Sequence, residues 1–427
     1  MKARNTILTS LFCLLLLTPC ALWAAQEGLR LPLPDWLTAE SATYLSGGIS
    51  ESHLEKHLSL KGFETEELQE ALTTEIENHI PFKATVLLAN ASLQRNAIAA
   101  SNLVANFEAY PTFFGSKTVY IPQHDALADY PSTKQWTLKR TKKTAEGIAK
   151  IASQVPDKNF YLVVADMSYT SASNPAHQLV ANALSTNDYL EVLNEGTEET
   201  PNVHVVSLTY DDDAEYYRNY YRTDHHWNGY GTLALYRTLQ ATAKLPYTVE
   251  EPRPTLSFPG LATNGSYARD GLMLLNEAVE EPAFDLTGLE VQNTELPPIA
   301  QADSVEALLA MGPIAEYSFY TQWYGSSLLT AQSPLVNQAS PSDKRALVIM
   351  DSYADSLHWL LARNYTYLQC YRDIRDGEEG DFTLIDRINE TDADDIYFVG
   401  STSAYTRPPQ YLPHYFDLPG DTTSSKN

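Results

Sequence analysis

Short apolar runs alternate with amphipathic, helix-forming segments along most of this chain, and no other feature of the sequence limits its fold as strongly. The runs that predict buried strands lie at 117–122, 160–165, 203–208, 346–350 and 395–399. The segments that predict helices lie at 141–155, 231–245, 356–362 and 381–390. Such alternation is typical of an α/β fold with a doubly wound, mainly parallel sheet and helices on both faces. Functional residues are then expected at the carboxyl ends of the strands.

Two further regions depart from this pattern. Residues 64–105 carry apolar positions at three- and four-residue spacing that are interrupted near Pro81, which predicts two helices. Residues from about 246 to 341 are richer in Pro, Gly, Asn and acidic residues, and they show little periodicity. We therefore predict a loop-rich insertion there, which could form a lid or a substrate-binding flap.

The N-terminal residues have the pattern of an export signal. Lys2 and Arg4 precede an apolar run at 7–23, which ends in small residues at Ala24 and Ala25. We predict a signal peptide at 1–25 and a periplasmic, cell-surface or extracellular location. A retained membrane tether is the alternative, because an apolar run of this length could nearly span a bilayer. With no internal repeat visible, residues 26–427 are predicted to form one domain that contains the insertion.

The net charge limits the expected partners, and the cysteine content limits the expected disulfides. The formal net charge is −25, so nucleic acid and anionic lipid surfaces are not expected as partners. Cys13 and Cys20 lie within the predicted signal, which leaves Cys370 without a partner for an internal disulfide.

A serine follows one of the predicted strands directly. The sequence VIMDSYA places Ser352 at a sharp turn between a strand and a helix. There its hydroxyl would be exposed at the sheet edge with the positive end of a helix behind it, which suits a nucleophile. The alternative interpretation is that Ser352 is an ordinary helix N-cap.

The stretch TDHHWNGYG supplies the partners that a serine nucleophile needs. A hydroxyl needs a base to remove its proton and a carboxylate to orient that base. On an extended segment Asp224 and His226 point the same way while His225 points to the other face, so Asp224 can hold His226 only if the backbone bends. Trp227 would then wall the site, and residues 228–229 would turn the chain into the next helix.

At these residues the chain resembles the SGNH hydrolase-like proteins of the DHHW and alginate O-acetylation (AlgX/AlgJ-like) group. The matching blocks occur in the same order and read TDHHWNGYG, VIMDSYA and DADDIYFV. The resemblance implies an SGNH hydrolase-like fold in which the Asp and His precede the Ser. It also implies that Ser352 is the nucleophile, His226 the general base and Asp224 the residue that orients it.

The resemblance is less complete at the expected oxyanion hole. The N–H after Ser352, which belongs to Tyr353, would give one donor, and SGNH enzymes commonly add a Gly and an Asn side chain. Here the strand end IYFVGSTSAY offers Gly400 and Ser401 but no Asn. Residues 325–326 in the insertion are another candidate pair.

The implied activity is acyl transfer. We expect an O-acyl (acetyl) transferase or esterase that acts on an envelope or secreted polysaccharide and uses no cofactor or metal. Its partners would be the glycan and an acyl donor, with a membrane acyltransferase as one candidate supplier. Tyr220, Tyr221 and Trp227 are candidate sugar contacts, because aromatic rings stack on sugars; the alternative is that these rings fill the core.

Two rival functions stay open. A metal site could use Asp224, His225 and His226, with His204 or His358 as a further ligand, although the spacing lacks the i, i+4 His pair of a helical zinc site. The acidic run at 211–213 could bind calcium, or it could be a solvated turn. The chain could instead be a catalytically silent glycan-binding or scaffold protein of the cell envelope.

Overall fold

The computed structural model describes most of the chain. The described residues are 2–25, 29–32, 58, 67–78, 83–249, 254–291, 319–325, 334–372, 382–408 and 414–418. They divide into two compact units. The first unit is assigned 1–106, 111–116 and 269–274, and the second is assigned 107–110, 117–268 and 275–427.

The first unit contains the N-terminal helices. These are α1 (Lys2–Trp23), α2 (Glu67–Asn78) and α3 (Lys83–Ala105). The two helices predicted at 64–105 are therefore present on either side of Pro81. In α3 the buried residues Ala84, Ala91 and Ile98 recur every seven positions, which places them on one face of the helix. Among the described helices, none is both long and apolar enough to cross a membrane.

A seven-stranded sheet forms the centre of the second unit, with strand order β5-β4-β12-β10-β11-β9-β8. Its strands are β4 (Asn159–Val164), β5 (Val203–Ser207), β8 (Leu289–Val291), β9 (Leu335–Asn337), β10 (Arg345–Met350), β11 (Tyr367–Tyr371) and β12 (Asp395–Gly400). The first five strands in this order are parallel, and β9 pairs antiparallel with both of its neighbours. The predicted mainly parallel sheet is confirmed.

Burial on both faces explains why the central strands are apolar without interruption. Along β10, Ala346, Val348 and Met350 belong to one core cluster, whereas Leu347 and Ile349 belong to the other. Successive side chains of a strand point to opposite faces, so a strand buried on both sides must be apolar at every position.

Helices cover both faces of the sheet. In the second unit they are α4 (Trp136–Ala152), α5 (Thr186–Thr197), α6 (Asp213–Asn219), α7 (Gly229–Ala243), α8 (Ser266–Asp270), α9 (Phe319–Tyr324), α10 (Ala354–Ala362) and α11 (Leu384–Thr391). Side chains of α4, α5 and α11 join one core cluster, and those of α7, α9 and α10 join the other. The sheet is therefore doubly wound, as predicted.

Several elements differ from the sequence-based prediction. The run at 117–122 does form a strand, but it lies outside the seven-stranded sheet. The strands outside that sheet are β1 (Tyr110–Pro111), β2 (Thr118–Ile121), β3 (Ala126–Asp129), β6 (Thr255–Thr263) and β7 (Glu277–Pro282). In this set β2 pairs antiparallel with β3, and β6 pairs antiparallel with β7. Strand β11 and helix α5 were not predicted, because neither has a continuous apolar run or a strong helical period.

The region predicted as a loop-rich insertion has more regular structure than expected. Its described residues contain β6 to β9 with α8 and α9, and β8 and β9 extend one edge of the central sheet. The boundaries predicted for the signal peptide, the domain and the insertion remain predictions.

Candidate active site

Ser352 lies at the carboxyl end of β10, one of the inner strands of the sheet. The preceding residue, Asp351, is anchored because its N–H donates to Val399 O at 3.1 Å and its Oδ1 accepts from the Tyr353 N–H at 3.0 Å. Helix α10 begins at Ala354, whose N–H donates to the backbone carbonyl of Asp351 at 3.2 Å, and no side chain caps this helix. This leaves the Ser352 hydroxyl available for another partner, in contrast to the N-cap interpretation.

That partner is His226. The Nε2 atom of His226 lies 2.7 Å from Ser352 Oγ, although the two residues are 126 positions apart in the sequence. On the other side of the ring, Nδ1 lies 2.5 Å from Asp224 Oδ1. The structure therefore brings Ser352, His226 and Asp224 into one hydrogen-bonded relay.

A local bend of the backbone allows Asp224 to reach His226. The N–H of His226 donates to Asp224 Oδ1 at 3.0 Å, so the carboxylate binds both the backbone and the ring of the residue two positions later. Asp side chains form such turns readily. The segment that contains the bend, residues 220–228, is called the relay loop below. It is closed by a bridge between Tyr220 and Trp227.

The Asp224 carboxylate is held on its second oxygen as well. Its Oδ2 accepts from the backbone N–H of Ser266 at 2.7 Å. Burial alone raises the pKa of Asp224, but the nearby histidines 225 and 226 and these hydrogen bonds outweigh it and hold the pKa well below its usual value. Asp224 is thus an anion that can orient His226 and stabilise its protonated form.

Gly265 permits this close packing. A Cβ built on Gly265 would lie 2.3 Å from Asp224 Cβ and 2.5 Å from Asp224 Oδ2. Any larger residue would have to displace the carboxylate or the segment that donates to it.

His225 occupies a different position from His226. Its Nδ1 lies 2.6 Å from Ser266 Oγ and 3.5 Å from Asp224 Oδ1, and its side chain is 31% exposed. His225 therefore contacts the carboxylate from the outside and makes no hydrogen bond to Ser352 in the described structure.

Aromatic side chains enclose the His226 ring. Tyr320 of α9 stacks on it, with ring centroids 4.1 Å apart, and the Tyr320 hydroxyl lies 3.1 Å from Ser356 Oγ. The Trp227 ring N–H donates to the same Ser356 Oγ at 2.9 Å. Trp227 therefore packs against the start of α10, while its predicted role as a wall of the site stays a prediction. Tyr320 was missed, because its segment showed no periodicity that would place it near His226.

Two buried glutamates of β7 also hold the relay loop. Glu277 accepts from the Arg222 N–H at 2.9 Å and from the Thr223 N–H at 3.1 Å. Glu281 accepts from the hydroxyl of Tyr221 and from the Gly229 N–H, the latter at 2.8 Å. Because they are four residues apart on a strand, both carboxylates lie on one face. They fix the chain just before Asp224 and at both ends of the relay loop.

The candidate oxyanion donors are engaged elsewhere. The Asp351 carboxylate accepts from the Tyr353 N–H through Oδ1. Through Oδ2 it accepts from the N–H and from the hydroxyl of Ser401, each at 2.9 Å. A Cβ built on Gly400 would lie 2.9 Å from Asp351 Oδ2, so glycine leaves room for this oxygen. The N–H of Ser352 itself makes no hydrogen bond within the described residues.

The three candidate sugar contacts lie in the core. Tyr220, Tyr221 and Trp227 are 2%, 6% and 3% exposed. Tyr220 stacks on Tyr216 with a centroid distance of 4.4 Å, and Tyr221 packs edge-on against Tyr320. Their rings therefore fill the interior in this structure and offer no open face to a sugar.

The three residues of the metal hypothesis lie close together in the structure. One ligand atom from each of Asp224, His225 and His226 lies within 4.8 Å of the others. Both nitrogens of His226 already have hydrogen-bond partners, so a metal would have to displace Asp224 or Ser352. His204 stacks on Tyr161, and His358 Nδ1 donates to Ala354 O at 2.7 Å; neither belongs to this group of three.

Comparison with solved structures establishes the fold. A DHHW family protein from Eubacterium siraeum matches with a TM-score of 0.50 and 14% identity, over 68% of this chain and 91% of that one. PatB1 from Bacillus cereus gives a TM-score of 0.45 and 17% identity, over 66% and 94%. The O-acetyltransferase domain of Pseudomonas putida AlgJ gives a TM-score of 0.35 and 11% identity, over 70% of this chain and 96% of that one. No protein-family model and no curated protein matches the chain. The first likeness confirms, at the level of the fold, the resemblance carried by TDHHWNGYG.

Replacing Gly265 with Ala should disturb Asp224. The added methyl overlaps the carboxylate and the adjacent backbone, so we expect a loss of about 1–3 kcal/mol in the free energy of unfolding. The downfield proton NMR signal of the His226 Nδ1–H should also shift or vanish. Asp224→Asn is the matched control, since it weakens the same hydrogen bond without adding bulk. An unchanged signal together with unchanged stability would contradict this account of Gly265.

Glu281 should make stability depend on pH. Burial raises the pKa of Glu281 to about 7 from 4.5, against the hydrogen bonds from Tyr221, Tyr324 and Gly229. Between these two values the folded protein retains a proton that the unfolded chain has released, so stability falls as pH rises from about 4.5 to 7, by on the order of 3 kcal/mol.

Glu281→Gln removes this contribution. The variant should therefore gain stability relative to the wild type as pH rises through that window, with no further change above about pH 7. Urea unfolding of both proteins across the window measures the difference. Glu280→Gln, at an exposed position on the same strand, controls for the substitution itself. A difference that is constant across the window would show that Glu281 does not titrate there.

Proposed function

We propose that this protein is an exported O-acyltransferase or esterase that acts on an envelope or secreted polysaccharide through Ser352, His226 and Asp224. The single observation that carries the proposal is the hydrogen-bonded relay. Ser352 Oγ lies 2.7 Å from His226 Nε2, and His226 Nδ1 lies 2.5 Å from Asp224 Oδ1. Nucleophile, base and orienting carboxylate are thus in hydrogen-bond contact before any substrate binds. The glycan substrate and the acetyl group come from the family resemblance of the relay loop and the serine block.

The relay supports a two-step reaction. His226 Nε2 takes the hydroxyl proton as Ser352 Oγ attacks an ester carbonyl, and the imidazolium that forms is stabilised by Asp224. His226 then gives this proton to the departing alcohol, which leaves an acyl group on Ser352. In the second step His226 removes a proton from water or from a sugar hydroxyl, and that oxygen attacks the acyl carbonyl. As the bond between the acyl carbon and Ser352 Oγ breaks, His226 returns the proton to Ser352 Oγ.

Stabilisation of the oxyanion is the least complete part of the site. The N–H of Ser352 is available, whereas Asp351 holds those of Tyr353 and Ser401. For a full hole, a substrate would have to displace Asp351 or use donors that the described residues do not identify. This observation favours a second candidate, a catalytically silent glycan-binding or scaffold protein of the cell envelope.

Export remains part of the proposal through the sequence of residues 1–25. A charged start, an apolar run and small residues at 24–25 are the features of a signal peptide. The protein would then meet its glycan in the periplasm, at the cell surface or outside the cell, with a membrane tether as the alternative.

Ser352→Ala tests the proposed chemistry. Hydrolysis of 4-nitrophenyl acetate should fall by about a thousandfold or more, because among the described residues it is the Ser352 hydroxyl that contacts His226 Nε2. The intact mass of the wild type after brief incubation should include one added acetyl group, which the variant lacks. A serine-directed fluorophosphonate should label Ser352 in the wild type. Ser153→Ala, at an exposed position after α4, is the control. Absence of turnover and of any adduct in the wild type would favour the silent protein.

The two adjacent histidines give a second test. His226→Ala should lower turnover by about 10² to 10⁴, because it removes the base. His225→Ala should lower it by less than about tenfold, since His225 contacts Asp224 and Ser266 and not the nucleophile. Equal losses in both variants, or a loss on chelation that zinc restores, would replace the relay with a metal site.

A further inference from the structure

A polar cavity of about 250 Å³ opens at the carboxyl ends of β4 and β5. The residues that line it carry hydroxyl, amide or carboxylate groups with few exceptions. They are Asp166, Thr170, Ala172, Ser173, Ser185, Thr186, Asn187, Thr209, Tyr210 and Asp211. Neither the relay nor the family resemblance uses any of them.

The floor of the cavity is rigid and negatively charged. Asp166 is 2% exposed, and its carboxylate accepts from the hydroxyls of Thr186 at 2.6 Å and Ser171 at 2.8 Å. Burial raises the pKa of Asp166 to about 6 against these hydrogen bonds, so the group is mainly ionised at neutral pH. A carboxylate has about four acceptor positions, and a backbone hydrogen bond from Tyr210 occupies a third, which leaves one position for a hydroxyl donor of a ligand.

The rim of the cavity carries polar side chains that are available for binding. Asn187, Thr209 and Asp211 are exposed, and their side chains make no hydrogen bond within the described residues. An amide, a hydroxyl and a carboxylate can together donate to and accept from neighbouring hydroxyls of one ring. A preformed floor with open polar groups at the rim is the arrangement of a ligand subsite.

Charge and size restrict the ligand. The described residues of the lining include two carboxylates and no Lys, Arg or His, so phosphate, sulfate and uronic acid groups would be repelled. The volume is below the range of about 300–1,000 Å³ that drug-sized ligands occupy, which suits a single ring. A polyhydroxylated ring without negative charge satisfies both conditions.

The strand order relates this cavity to Ser352. In the sheet β12 alone separates β4 from β10, and β5 lies next to β4. With a spacing of roughly 4.8 Å between strands, the end of β4 is about 10 Å from the end of β10 along the same edge. A glycan chain that lies along this edge would reach both places.

We propose that this cavity is a subsite for an uncharged sugar residue of the glycan, next to the residue whose hydroxyl reacts at Ser352. The inference rests on the proposed function for the identity of the ligand. The cavity itself, however, can be tested without catalysis.

The test measures binding in the Ser352→Ala background, where no acyl group is transferred. Cellotetraose, chitotetraose and mannotetraose are neutral probes, tetragalacturonate is the anionic probe, and Ca²⁺ is tested alone; all are titrated by calorimetry. We expect at least one neutral tetrasaccharide to bind and tetragalacturonate not to bind. Asn187→Ala combined with Asp211→Ala should weaken the neutral probe by about tenfold or more, because two rim contacts are lost.

The control is Asp157→Ala, which removes an exposed carboxylate away from the cavity. It should leave binding unchanged. The proposal is overturned if no neutral probe binds, if the rim variant binds as well as its background, if tetragalacturonate binds equally, or if only Ca²⁺ binds. Ester turnover and labelling of Ser352 are measured separately, so a failed subsite would not be confused with a failed relay.

Discussion

The hydrogen-bonded position of the Asp224 carboxylate is the constraint on which the site depends. Asp224 is charged and its side chain is only 14% exposed, and a charge so largely removed from water is tolerated only where hydrogen bonds or opposite charges compensate it. Here the compensation comes from His226, through its ring and its N–H, and from the Ser266 N–H. The same contacts that keep Asp224 ionised also set the direction of the His226 ring toward Ser352. The electrostatic stability of Asp224 and the geometry of the relay are therefore one requirement.

That requirement extends to the residues that hold the relay loop. Glu277 and Glu281 are also buried carboxylates, and each is compensated by backbone N–H groups or hydroxyls of the loop or its flanks. Two buried acids and the half-buried Asp224 in one region reduce stability relative to apolar packing, since desolvation of a carboxylate costs several kcal/mol. In exchange, these carboxylates accept hydrogen bonds from several backbone N–H groups and so fix the conformation of the relay loop. We interpret β7 as the support that keeps Asp224 and His226 in place.

The central strands could be predicted well from the sequence, and the residues that support the relay loop could not. The runs at 160–165, 346–350 and 395–399 were recognisable because a strand buried on both faces must be apolar throughout. Strand β11 was missed because Gln369 and flanking tyrosines interrupt its apolar character. The relay could be predicted from TDHHWNGYG and VIMDSYA, but the bend at Asp224 could not be, since spacing alone argued against the contact. The missed residues contact the relay loop or its flank from 40 or more positions away in the sequence, and the local periodicity of a sequence cannot predict such contacts. They are Glu277, Glu281, Gly265 and Tyr320.

The edge formed by the carboxyl ends of β10, β12, β4 and β5 explains how the site could be selective. Ser352 follows β10, Gly400 ends β12, Asp166 follows β4, and the relay loop and Asp211 follow β5. Reactive groups and acidic cavity thus lie in order along one line of parallel strands, where ligands of such sheets are commonly bound. A glycan bound along this line would place its sugars at successive strand ends. Because this protein has a net charge of −25 and no cation among the described residues of the cavity, an acidic polysaccharide would be repelled both on approach and on binding. Under the proposed function, electrostatics therefore favours a glycan that is neutral next to the acylated sugar, and the strand order places that neighbouring sugar near the end of β4.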